Sequence, residues 1–151
     1  MQKLASLMAV LAITWAGLSS LNTPRYFKMD GGTDASYIAF VPDGNYSITT
    51  REHMLVRVEE SGHWSRTDSR IAFISKKQGA PPYSAEEIGY KGHVFLALEG
   101  NAGPSIAVPI AEIKKSLDQN PKVLPLYVFF ETSSNVYEKE TKQTYPFHSS
   151  H

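Results

Sequence analysis

Five histidines are the first candidates for chemistry, because imidazole ligates metals and moves protons near neutral pH. His53, His63 and His93 fall in or beside stretches that read as strands. No two of them share the i, i+2 spacing that places ligands on one face of a strand, and there is no His-Glu-x-x-His run. Each reads as a surface or hydrogen-bonded side chain. His148 and His151 stand at i, i+3 in a polar end of the chain, where they make only weak, nonspecific ligands.

Nucleophilic and acid–base sets are equally sparse. A serine nucleophile needs a strained turn beside a base, and no Gly-x-Ser-x-Gly occurs. Ser105 follows Gly103-Pro104 and reads as a turn residue before a strand. Glu86, Glu87, Glu99 and Asp68 are the carboxylates that could serve in acid–base work. Adjacent Glu86 and Glu87 point in different directions in a helical turn, so they make no natural pair, and all four read as solvated. Gly31-Gly32 lacks the preceding strand, following helix and lysine of a phosphate loop. Asp30-Gly31-Gly32-Thr33-Asp34 is shorter than a calcium loop and lacks its terminal glutamate. No catalytic, metal or cofactor set emerges.

Aromatic and basic residues offer binding rather than catalysis. Tyr83, Tyr90, Tyr127 and Trp64 could line a ligand pocket or a binding face, because such rings combine contact area with a polar handle. Core packing is the competing reading. Arg51, Arg57, Arg66 and Arg70 lie in one stretch and, at matching strand parity, could form a basic face for an anionic ligand. A plain solvent face competes with that.

The elements that must position these residues are mostly strands. Residues 37–41 are a buried strand stopped by Pro42-Asp43-Gly44, where proline presets φ and glycine takes positive φ. Residues 46–49 and 54–59 alternate as strands do, residues 64–67 and 71–74 read as two further short strands, and the short connections favour antiparallel pairing. Ser61-Gly62 reads as a turn, and Trp64 begins the strand after it. Gly44-Asn45-Tyr46 and Gly62-His63-Trp64 repeat one Gly-x-aromatic device 18 residues apart, the length of a hairpin. Residues 83–88 have capping-box spacing from Ser84 to Glu87 and read as a short helical turn. Residues 93–98 read as a central strand, 106–108 as a short one and 126–130 as the last. Residues 110–119 are the best helix, with Ile110, Ile113 and Leu117 on one face and Asn120-Pro121 ending it.

About eight strands and one helix predict a mainly β fold. A small antiparallel β-barrel or a two-layer β-sandwich, with one short helix before the last strand, meets the need to close or cover the sheet. The Gly-x-Trp hairpin and the strand count resemble the lipocalin-like small barrels of bacterial envelopes over about 40 residues. That resemblance implies a barrel able to hold a small apolar ligand. The helix departs from its pattern by preceding the final strand.

At the N-terminus, Lys3 is the only charge before Arg25, the stretch from Leu4 to Ile13 is nearly all apolar, and small residues follow at Ala16, Gly17, Ser19 and Ser20. These are the parts of a secretory signal peptide, with an uncleaved anchor as the alternative. The expected organisation is a signal peptide over residues 1–20, a flexible lead-in over 21–35, one β-rich domain over 36–132 and a polar, disordered tail over 133–151. The formal net charge of +0 argues against nucleic acid and against a polybasic membrane surface. With no cysteine, the fold rests on packing alone, and thiolate nucleophiles, redox pairs and thiolate metal sites are excluded. The sequence therefore predicts a secreted or periplasmic, non-catalytic binding or accessory module. Its partner is a small apolar ligand or an envelope protein, and the mature chain has no membrane span. A protein–protein interaction module or inhibitor is the second reading, and a hydrolytic enzyme the third.

Overall fold

A computed structural model describes residues 22–53, 55–99 and 107–142. Eight antiparallel strands close into a barrel in simple sequence order. They are β1 (Arg25–Asp30), β2 (Asp34–Phe40), β3 (Asn45–Glu52), β4 (Leu55–Thr67), β5 (Arg70–Ser75), β6 (Tyr83–Tyr90), β7 (His93–Glu99) and β8 (Phe129–Thr132). Helix α1 (Ile110–Gln119) stands between β7 and β8, and α2 (Ser134–Thr141) follows β8. The barrel closes by pairing β1 with β8, Phe27 opposite Glu131 and Met29 opposite Phe129. Closure removes the exposed sheet edges that a meander would otherwise leave at its two ends.

Period-two alternation puts one set of side chains inside. Phe27, Ile38, Phe40, Tyr46, Ile48, Phe73, Tyr83, Leu96 and Phe129 are buried there, with Trp64 packed against them. Their rings touch in series: Trp64 on Phe40, Phe40 on Phe73, and Phe73 stacked on Tyr83 at 4.6 Å. The interior is thus occupied by the barrel's own aromatics. A second cluster lies outside. Ile113 and Leu117 of α1 pack on Phe95, Ala97, Val128 and Phe130, the outward residues of β7 and β8 and the residue before β8. This explains why residues 94–98 are apolar at every position: one face fills the barrel and the other receives the helix.

Several expectations change. The segment read as a lead-in contains β1, whose apolar residues are only Phe27 and Met29 on the inner face, too few to stand out. Residues 83–88 are not a helical turn: β6 pairs with β5 and β7 along this stretch, and tertiary pairing overrides the capping-box spacing. Ser61-Gly62 is not a turn. Strand β4 runs through it for 13 residues, and Gly62 faces Tyr46 on β3 and Ser75 on β5. A Cβ on Gly62 would lie 2.1 Å from the Ile74 carbonyl oxygen, so the glycine serves close backbone approach rather than a turn. The two Gly-x-aromatic copies are therefore unlike: Gly44, at φ 92°, does sit in a turn. Ala107 and Val108 form no strand, and Ile106 lies outside the described residues. The segment read as a disordered tail begins with α2, capped by the Ser133 hydroxyl accepting from the Val136 N–H. The signal-peptide segment, residues 1–20, lies outside the described residues. Helix α1 has the bounds expected.

Candidate functional site

Charged residues inside the barrel gather at the end where the chain enters. Arg25 opens β1, Arg66 lies near the end of β4, Glu87 on β6 and Glu131 on β8, all at inward positions by register. Arg25 Nε donates to Glu131 Oε1 at 2.8 Å, and its Nη2 meets Glu87 Oε1. Arg66 Nη2 lies 2.8 Å from Glu87 Oε2, but off the hydrogen-bond direction, so this buried oxygen has an ion-pair partner and no donor aimed at it. Burial works against the charge of Arg25, but the hydrogen bonds to Glu131 and Glu87 outweigh it and hold the guanidinium above its ordinary pKa. The four residues form a stopper across this end.

Deeper in, Glu60 accepts from two tyrosine hydroxyls, Tyr46 at 3.0 Å and Tyr83 at 3.2 Å. For both tyrosines burial is the first cause of a raised pKa, and the neighbouring Glu60 charge adds to it. Each therefore stays a neutral donor far above neutral pH. Outside the barrel, Tyr137 of α2 stacks on Tyr26 at 4.4 Å, and Glu140 accepts from the Tyr37 hydroxyl and from Lys28 Nζ. Burial would raise the Glu140 carboxyl, but the hydrogen bonds from Tyr37 and Lys28 leave it below its usual value.

The outer surface carries a groove of about 300 Å³ along the β1–β8 seam. Leu124, Pro125, Val128 and Phe130 give it an apolar lining, and Lys28 and Asp30 stand among its polar residues. Beside it the chain between α1 and β8 exposes Val123, Leu124, Leu126 and Tyr127. That chain is tied down by the Tyr127 N–H donating to the Asp30 carbonyl at 2.8 Å.

The candidates from sequence disperse. His53 and His63 are exposed, and His93 Nε2 donates to the Pro121 carbonyl at 2.7 Å. Among the described residues no three His, Asp or Glu side chains converge to hold a metal. Ser105, His148 and His151 lie outside the described residues. Gly31 and Gly32 belong to the β1–β2 turn, where Gly31 N–H donates to the Asp34 carbonyl. Trp64 and Tyr83 share the interior, whereas Tyr90 points outward to Asp118 of α1 and Tyr127 is exposed. The arginines form no basic face, because acids interleave with them: Arg57 pairs with Glu52 and Glu59, Arg66 with Glu87, and Arg70 with Glu99. Arg51 lies near Glu140. Asp68 is exposed at φ 54° in the β4–β5 turn, and Glu86 lies opposite Arg70 and Ala97. Glu99 also accepts from Ser84.

Sequence reasoning passed over Arg25, Glu60 and Glu131. Their signal was parity: each is a charge where the strand pattern calls for an inward side chain. No family model, curated protein or solved structure matches the chain. Among the described residues no helix is long and apolar enough to cross a membrane.

Proposed function

We propose that this chain is an exported, non-catalytic accessory module of the cell envelope or extracellular space that binds a protein partner through its outer surface. The observation that carries this reading is the contrast between the two faces of the sheet. The barrel interior is taken up by touching aromatic rings, with an ion-pair stopper at one end. The exposed apolar run Val123, Leu124, Leu126 and Tyr127 lies instead beside an open groove lined by apolar and charged residues. Apolar surface among polar residues is the anatomy of a protein-binding patch. The export reading rests on the basic start, apolar run and small residues at the N-terminus.

Native mass spectrometry of the protein purified from its host tests both parts. The expected result is a mature mass beginning near Gly17 or Ser20 and a protein-sized adduct that Leu124→Asp abolishes. A retained small apolar molecule without a protein adduct would overturn the surface reading. A full-length mass starting at Met1 would overturn export.

A further inference from the structure

The groove at the β1–β8 seam holds a carboxylate that no cation answers. On β1, Phe27 and Met29 turn inward, so Lys28 and Asp30 share the outer face, and both line the groove. Lys28 is already engaged: its Nζ lies 2.9 Å from Glu140 Oε2 of α2 and donates to Oε1 at 3.1 Å. Glu131 is engaged by Arg25. Asp30 is exposed and has no ion-pair partner among the described residues. Its Oδ1 accepts one long bond from the Gly32 N–H, at 3.4 Å, which leaves most of its accepting capacity unused.

Tyr127 stands against the same turn. A Cβ built on Gly31 would lie 3.7 Å from Tyr127 Cε1, so the ring flanks the residue next to Asp30. The ring is half exposed and fills no core. Its backbone lies at φ 62°, a region that glycine enters freely and a bulky residue enters at a cost. The Tyr127 N–H, donating to the Asp30 carbonyl at 2.8 Å, holds it there.

We propose that the groove receives a segment of a partner protein in which an arginine stands beside an apolar side chain. The inference rests on the reading of this groove as the protein-binding surface and names the chemistry of what enters it. The guanidinium pairs with Asp30 and lies on the Tyr127 ring, while the apolar side chain packs among Leu124, Val128 and Phe130. Arginine fits better than lysine, because a planar, weakly hydrated guanidinium can bond a carboxylate in bidentate fashion and stack on a ring together. Glu140 acts at one remove. By holding Lys28, it keeps that ammonium from neutralising Asp30, its neighbour two residues along the same face.

Panning phage-displayed random dodecapeptides against the purified protein tests this. The selected peptides should carry an arginine within two positions of a leucine, isoleucine or phenylalanine. Fluorescence anisotropy of the best peptide then reads the site. Asp30→Asn should weaken it about fivefold, the worth of one exposed ion pair. Glu140→Gln, outside the groove, should weaken it as well, by freeing Lys28. Asp30→Lys should lose the peptide and bind its arginine-to-glutamate version instead, a gain that misfolding cannot produce. Leu124→Asp should abolish binding of both. Acidic or purely apolar selected peptides, or affinities indifferent to Asp30→Asn, overturn this inference and leave the groove reading standing. Peptides that bind Leu124→Asp as well as the wild type overturn the groove reading itself. A library that yields no binder overturns the inference too.

Discussion

Removing the Trp64 ring should cost about 3 kcal/mol of folding free energy. Trp64 sits on β4 opposite Phe73 and turns inward, with its ring 5.3 Å from that of Phe40 in an edge contact. Its Nε1–H donates to the Val41 carbonyl at 3.0 Å, tying β4 to the β2–β3 turn. Burial of roughly 150 Å² at about 25 cal/mol per Å² gives about 4 kcal/mol. The ring keeps some exposure, which lowers that figure, and the hydrogen bond adds about 1 kcal/mol at most, since water can replace it at the exposed Val41. Trp64→Phe keeps the contact with Phe40 and loses the donor, so it should cost about 1 kcal/mol. Urea unfolding followed by far-ultraviolet circular dichroism measures both variants. A domain of this size has only about 5–15 kcal/mol in all, so the Trp64→Ala midpoint should fall clearly. An unchanged midpoint for Trp64→Ala refutes the reasoning. Equal losses for Trp64→Ala and Trp64→Phe also refute it, since ring burial would then not be the source.

Gly62→Ala should destabilise the barrel by about 3 kcal/mol, the upper end of overpacking costs, because the new methyl meets the Ile74 carbonyl rather than a flexible side chain. Differential scanning calorimetry checks it, and a mutant as stable as the wild type would mean that β4 and β5 can move apart there. Alkaline pH should unfold the protein early. Tyr37, Tyr46 and Tyr83 have folded pKa values above the ordinary 10.0, so their contribution is intact below about pH 10. As pH rises further the unfolded chain loses protons that the folded one retains, and stability falls. Denaturant midpoints measured against pH, with tyrosinate absorbance beside them, should show this decline, and Tyr46→Phe should flatten it. A midpoint independent of pH above 10 would contradict it.

How much of the fold was legible depends on how each segment buries its apolar residues. Helix α1 was readable because Ile110, Ile113 and Leu117 repeat at helical spacing and the chain stops at Asn120-Pro121. Strands β2 and β5 were readable as short apolar runs bounded by turn residues, and β3 and the first half of β4 because they alternate. The expected number of strands agrees with the barrel partly through compensation. Residues 54–59 and 64–67 are one strand, not two, and Ala107-Val108 is none, whereas β1 and β6 went unread. Strand β6 carries Ser84, Ala85, Glu86, Glu87 and Gly89, residues with little β preference, and becomes a strand because β5 and β7 offer it partners. Gly62 shows the same limit from the other side. A glycine that permits a turn and a glycine that permits close approach are identical in sequence, and only the position of the Ile74 carbonyl separates them.

The candidate site was less legible than the fold. Residue types alone made Arg66 and Glu87 look solvated, and made Arg25, Glu60 and Glu131 unremarkable charges. Closure of the sheet decides otherwise, because it brings β1 against β8 and sets inward charges from four strands at one end of the barrel. The sequence by itself determined that the core would be β-rich, that it would hold without disulfides, and which helix face would be apolar, since these follow from alternation, the absence of cysteine and helical periodicity. Tertiary structure alone decided which charges face into the barrel and how β4 pairs along its 13 residues. Both depend on the offset between neighbouring strands, a quantity that no single stretch of sequence contains.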